Sequence, residues 1–206
     1  PVAEDWLTPA EMSPAAIKAL IDAFVAAARR ADALGCDFIE IHGAHGYLIQ
    51  TFLSPLSNRR TDAYGGDLKG RMRIALEVTE AVRAAWPEGK PLFFRISSVD
   101  GFEGGWTIED SVTLARALKG LGVDVVDCSS GGNQGRTPVS KGRVLGPGYQ
   151  LPYAAQVRKD AGIATQAVGL IVDGKQAEAA LQAGHADLGD RAHHHPPRPQ
   201  PRCAGH

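Results

Sequence analysis

Strand and helix signals alternate without a break along this chain, and that order predicts a parallel α/β fold, part of a TIM (β/α)8 barrel with about four β/α units. Three observations carry the prediction. Short apolar runs rich in β-formers begin near 36, 91, 123 and 163, each followed by a segment of helical periodicity. The runs lack polar–apolar alternation, as strands covered on both faces do. Polar residues gather just past each run, at His42 and His45, Arg95 to Ser98, Ser129 to Asn133, and Gly169. A TIM barrel builds its active site on that one rim.

The elements follow in order. Ser13-Pro14 reads as an N-cap with proline at the first helical position, followed by Ile17, Leu20, Ile21, Phe24, Val25 and Ala28 at helical spacing; Gly35 ends the run. A strand at about 36–41 leads into a long loop from 42 to 66. The second helix fits "DLKGRMRIALEVTEAVRAAW", with Ile74, Leu76, Val78 and Val82 as apolar positions and Pro87 just beyond. "PLFFRIS" is the next strand, and "TIEDSVTLARALKGLG" the next helix, where Thr107 and Asp110 form a capping-box-like start. "VDVVDCSS" and "IATQAVGL" are the last strands, followed by helices in "GYQLPYAAQVRKDAG" and "DGKQAEAALQAG". No Gly-x-Gly-x-x-Gly opens a helix directly after a strand, which argues against a dinucleotide-binding Rossmann unit.

Composition narrows the function. The 206 residues are 44% hydrophobic and 22% charged, the make-up of one globular domain. Lys plus Arg is 22 against 23 for Asp plus Glu, a balance that points neither to nucleic acid nor to an anionic membrane. No apolar run approaches the ~20 residues that cross a bilayer. The N-terminus lacks a basic segment followed by an apolar one, so no signal peptide is expected, and its opening Pro suggests a chain taken from inside a longer one. Cys36, Cys128 and Cys203 are odd in number and far apart, which fits a reduced, cytoplasmic protein without a disulfide framework.

"HGAHGYLIQTFLSP", positions 42 to 55, carries the chemistry. His42 and His45 could be read as metal ligands, yet no third ligand stands nearby, and no metal is expected. Either histidine alone could be satisfied by backbone groups at a strand end; that reading is weaker for both together with Tyr47 beside them. Two neutral imidazoles can donate hydrogen bonds to an oxygen that gains negative charge. A phenol keeps its proton at neutral pH and can deliver it. The combination suits hydride addition to a carbon–carbon double bond conjugated with a carbonyl.

"IHGAHGYLIQTFLSPLSNRRTDAYGG" followed by "RMRIALEV" resembles the old yellow enzyme family of FMN-dependent NAD(P)H oxidoreductases. Supporting matches in "FFRISS", "GWTIEDSVTLARAL", "VDVVDCSSGG", "GYQLPYA" and "QAVGLI" extend the resemblance over residues 1 to about 188. The His–His pair is similar to the bacterial, thermophilic-like ene-reductase branch. The resemblance implies that His42 and His45 hold a substrate carbonyl above the flavin, with His42 also bordering the cofactor, and that Tyr47 donates the proton. It implies that Arg95, at the end of its strand, stabilises negative charge on the reduced flavin, and that Gly169 offers its backbone N–H to the FMN phosphate. An enone as substrate, NADPH or NADH as reductant and a homo-oligomeric assembly complete the expectation.

Departures from the family pattern add further expectations. The family has eight β/α units, and the four here match its strands four to seven. The loop "SPLSNRRTDAYGG" is expected to pack over the site, with Arg59, Arg60 and Asp62 as a structural salt-bridge knot. Lys69 and Gly70 replace the family's usual Glu-Asn, which should weaken a network at the start of the second helix. Similarity stops abruptly near 189, consistent with a shifted reading frame. The Pro-, Arg- and His-rich tail 189–206, including His193 to His195, is expected to form no strand, to be disordered and to be dispensable. Half a barrel would expose two unpaired strand edges and an apolar face that the other half normally covers. Two other readings compete with the oxidoreductase: a catalytically silent, self-associating fragment that binds no flavin, and an unrelated phosphate-binding barrel lyase or isomerase. The absence of lysine from the strand centres speaks against a Schiff-base aldolase.

Overall fold

The structure is a computed structural model and describes residues 9–132 and 145–189. Asn133, Cys203, His193 to His195 and the rest of the tail beyond Gly189, for which the sequence raised expectations, lie outside the described residues. Helix α1 (Pro14–Ala33) starts as its sequence dictates, with the Ser13 hydroxyl accepting the Ala16 N–H and proline in the first turn. Strand β1 (Ile39–Gly43) leads to a short helix α2 (Leu48–Leu53), then α3 (Leu68–Ala85), β2 (Leu92–Ser97), α4 (Ile108–Gly120), β3 (Val125–Ser129), α5 (Leu151–Ala161), β4 (Ala164–Ala167), α6 (Gly174–Gln182) and β5 (Leu188–Gly189). Thr107 and Asp110 form a full capping box on α4.

The strands make one sheet in the order β1-β2-β3-β4-β5, every pair parallel. Residues pointing to one face, among them Ile41, Phe94, Ile96, Val126, Cys128 and Ala167, join Ile74, Val78, Leu114, Leu118 and Val157 of the helices in a single core. The helices cover that face in chain order, α1 on α3, α3 on α4 and α4 on α5. The opposite face is the inner wall of a partial barrel and carries Glu40, His42, Arg95, Asp127 and Gln166.

Four expectations are corrected here. The sheet has five strands rather than four, because Leu188 and Gly189 pair with Gln166 and Ala167. Gly189, the first residue of the expected tail, is thus part of a strand. Asp187 anchors this strand: its carboxylate takes two hydrogen bonds from Arg158, at 2.9 and 3.0 Å, and one from the Thr165 N–H. The segment 42–66 is not all loop, since α2 lies within it. Alternation is present in β1 and β4, where inner-face residues such as His42 and Gln166 keep some exposure while their neighbours are buried. Only the central strands β2 and β3 read as buried throughout or nearly so.

The fourth expectation to fail is the apolar character of the uncovered face, which carries the polar residues Glu40, His42, Arg95, Asp127 and Gln166. Lys69 and Gly70 stand at the start of α3. The start of α3 is well tied. The Asp67 side chain accepts the Gly70 N–H at 2.7 Å, and Arg71 donates to the carbonyls of Leu53 and Gly66. A Cβ at Gly70 would lie 2.1 Å from the Gly65 carbonyl oxygen, so this sequence brings two chain segments together where a side chain could not fit. In the preceding loop, Arg60 pairs with Asp62 at 2.6 Å and with Glu11 at 3.5 Å, and donates to the Met12 carbonyl. The expected knot therefore exists without Arg59, which is exposed.

Candidate active site

Parallel register sets the floor of the site. His42 of β1 lies opposite Arg95 of β2, Arg95 opposite Asp127 of β3, and Asp127 opposite Gln166 of β4. Because equivalent residues of paired parallel strands point the same way, the four side chains form one polar row across the inner face. His42 and Arg95 are therefore inside their strands, not past them as the sequence suggested. Ser129 closes β3 one layer further on, and Gly169 follows β4 by two residues.

Above this row the chain leaves β1 in a tight loop. His45 and Gly46 both adopt left-handed backbone conformations, φ 60° and 75°. For a histidine that geometry is uncommon, and it persists where surrounding contacts over-determine it. Those contacts are visible. The His45 N–H donates to Ser97 Oγ at 3.0 Å, and the Gly46 N–H to Gln50 Oε1 at 2.6 Å. Gly132 packs so closely that a Cβ on it would lie 2.2 Å from the His45 carbonyl carbon. Gln50 is itself buried and donates to Asp100 Oδ1 at 2.9 Å; the other Asp100 oxygen accepts from Ser54 Oγ and from the Trp106 N–H.

The loop gathers the three side chains singled out in the sequence. The His42 ring lies 5.2 Å from the His45 ring and 5.3 Å from the Tyr47 ring, centroid to centroid. Tyr47 is the N-cap residue of α2, but its side chain makes no capping bond and is 65% exposed, so the phenol is available. Partial burial and, secondly, the positive charge of Arg95 hold both histidines below their ordinary pKa; His42 adds to this for His45, which falls to about 4. Both rings are neutral hydrogen-bonding groups at pH 7.

A titration of the His45 ring protons by NMR should show a midpoint near 4 in place of the ordinary 6.5. Between those values the unfolded chain binds a proton that the folded chain refuses. Stability should therefore fall as pH drops from about 6.5 towards 4 and stay level above that window. A His45 midpoint at or above 6.5 would show that the ring is not enclosed as described.

Arg95 meets a carboxylate that sequence reasoning missed. Its Nε lies 3.5 Å from Asp127 Oδ2, an ion pair too long for a hydrogen bond. Asp127 is fully buried and also accepts from Gln166 Nε2 at 3.0 Å. The guanidinium is thereby oriented while part of it stays exposed to the inner face. Gly169, φ 103°, borders the buried Gln150, whose Oε1 would lie 2.8 Å from a Cβ at that position. Among the described residues no three His, Cys, Asp or Glu side chains come together as a metal site. Also among them, no helix is long and apolar enough to cross a membrane, and Cys36 and Cys128 are free thiols.

The chain belongs to the NADH:flavin oxidoreductase / NADH oxidase family, whose model matches residues 2–191. An NADPH dehydrogenase of Geobacillus sp. (strain WCH70) is 52% identical over 188 residues, 91% of this chain and 53% of that protein. An NADPH dehydrogenase of Bacillus subtilis (strain 168) is 46% identical over 185 residues, 90% of this chain and 53% of that protein. The chain thus spans about half the length of the curated relatives it matches. Among solved structures, a 2-naphthoyl-CoA reductase bound to 2-naphthoyl-CoA superposes with a TM-score of 0.80 at 28% identity, over 89% of this chain and 28% of that one. Morphinone reductase superposes with a TM-score of 0.72 at 26% identity, over 90% and 47%. The resemblance to old yellow enzymes read from the sequence therefore holds.

Proposed function

We propose that this chain forms the catalytic segment of an FMN-dependent NAD(P)H oxidoreductase that reduces the activated C=C bond of α,β-unsaturated carbonyls. The observation that carries the reading is that His45 and Tyr47 both place their rings near that of His42, 5.2 and 5.3 Å between centroids, in a loop whose backbone is held by Ser97 and Gln50. Relatives named NADPH dehydrogenase, and a morphinone reductase solved with tetrahydroNAD, support a nicotinamide reductant.

The residues present fit a flavin. Arg95 offers a partly exposed guanidinium, held from behind by Asp127, to an anionic ring edge on the inner face. We assign the backbone N–H of Gly169, on the loop after a late strand, to the FMN phosphate. FMN, when bound, supplies the hydride. His42 and His45 donate hydrogen bonds to the substrate carbonyl oxygen and favour the charge that gathers there as hydride adds to the far carbon. Tyr47 delivers a proton to the carbon next to the carbonyl. Cys36 and Cys128, free thiols among the described residues, suit a cytoplasmic location, and a homo-oligomeric assembly is part of the same proposal.

Adding FMN to the purified chain tests the cofactor assignment. Saturable loss of flavin fluorescence is expected, and Arg95→Met should weaken it. Fluorescence unchanged at every protein concentration would favour the silent, self-associating fragment instead.

A further inference from the structure

His45 has a partner the proposed chemistry does not use. Its Nε2 lies 2.7 Å from the hydroxyl of Ser129, the last residue of β3, which is 5% exposed. The direction of that hydrogen bond decides which ring nitrogen is left to donate, because in a neutral imidazole one nitrogen carries the proton and the other accepts.

Gln150 supplies the direction. Its side chain is buried, with the amide oxygen beside Gly169 and the amide nitrogen facing two serines, 2.7 Å from Ser130 Oγ and 3.3 Å from Ser129 Oγ. An amide nitrogen only donates, so Ser129 Oγ is the acceptor in that contact and its own proton must go elsewhere. Among the described residues, His45 Nε2 is the acceptor within hydrogen-bond distance of that hydroxyl. The backbone of His45 is held on the same side, its N–H on Ser97 and its carbonyl carbon packed against Gly132.

We propose that Ser129, steered by Gln150, is a positioning residue that fixes His45 as the Nδ1–H tautomer. Nδ1–H then becomes the ring's donor to an oxygen bound at the rim, and Nε2 is withdrawn from that task. Without this contact the ring would be free to place its proton on Nε2 and offer the rim a lone pair, which repels a carbonyl oxygen. The consequence for catalysis rests on the reading of His45 as an oxygen-binding donor; the tautomer itself does not.

Long-range 1H–15N correlation spectra of the 15N-labelled chain at pH 7 read the tautomer directly, since protonated and unprotonated ring nitrogens differ widely in shift. At that pH His45 is neutral. The expected pattern is a protonated Nδ1 and an unprotonated Nε2. Ser129→Ala should move the ring towards Nε2–H, Ser129→Thr should keep Nδ1–H because it keeps the hydroxyl, and Gln150→Leu should give a mixture. A wild-type His45 protonated at Nε2 would overturn the proposal even if Ser129→Ala failed to fold. An Ser129→Ala variant that folds, with its backbone amide spectrum intact, and still carries the proton on Nδ1 would overturn it too. A phenol that binds the flavin-loaded protein equally well after His45→Ala would sink the donor role of His45 and leave the tautomer assignment standing.

Discussion

Tyr47→Phe, introduced into the barrel at full length, is expected to slow reoxidation of the reduced flavin by an enone by about 10²–10⁴-fold, the usual worth of a general acid. Reduction of the flavin by NAD(P)H should be nearly unchanged. The half-reactions separate because only the enone step needs a proton delivered to carbon. The structure explains why the effect should be chemical rather than structural: the Tyr47 side chain caps nothing, and its ring is largely exposed beside His42. Removing the hydroxyl therefore breaks no bond that holds the loop. Stopped-flow traces of the two half-reactions give the answer. Equal slowing of both would mean that Tyr47 shapes the flavin site and is not the proton donor. His42→Ala and His45→Ala should act differently, weakening phenol and enone binding because the oxygen loses its donors.

How far the sequence could be read depends on whether a feature is local. Ser13 and the Thr107–Asp110 box announce helix starts through side chains within three residues of the bonds they make, and both were legible. Helix α2 was not. Its N-cap is Tyr47, which makes no capping bond, and "LIQTFL" is too short to show a helical period. His42, His45 and Tyr47 were legible as a group because they lie within six positions. Asp127, Gln166, Gln50 and Asp100 were not, because what joins them to the site is strand register and a crossing of the chain. A parallel register between strands thirty or more residues apart leaves no mark at either residue. The second aspartate in "VDVVDCSS", Asp127, was the available signal: a carboxylate in the middle of a buried strand needs a cation or donors, and Arg95 and Gln166 are among its partners.

The expected absence of alternation failed for a physical reason that bears on assembly. In a closed barrel the inner face is filled by side chains from all eight strands. Here the edge strand β1 carries exposed Glu40 and His42, while the central β2 keeps Phe93 and Ser97 buried on the same face. Burial thus falls off from the centre of the sheet towards β1. His42 and Tyr47 lie on this exposed β1 side. His45 and Arg95 already have fixed partners in Ser129 and Asp127.

Asp100→Ala is expected to cost about 3–5 kcal/mol of stability, the typical result of removing one side of a buried polar cluster. Asp100 is fully buried after β2 and accepts from Gln50 Nε2, Ser54 Oγ and the Trp106 N–H, so alanine leaves three enclosed donors without that acceptor. Asp100→Asn should cost less. It keeps the shape, yet it must turn an amide N–H₂ towards one of those donors. The damage should also reach the site. Gln50 holds the Gly46 N–H only while its own amide is fixed by Asp100, and Gly46 sits between His45 and Tyr47 in a strained left-handed turn. Denaturant unfolding of the chain measures the first effect as a lowered midpoint with an unchanged slope. Amide exchange at Gly46 measures the second, and Asp100→Asn should speed it even where the global fold survives. An Asp100→Ala loss under about 1 kcal/mol, within the range of an ordinary single hydrogen bond, would show that the loop carrying the histidines is held by Ser97 and Gly132 alone.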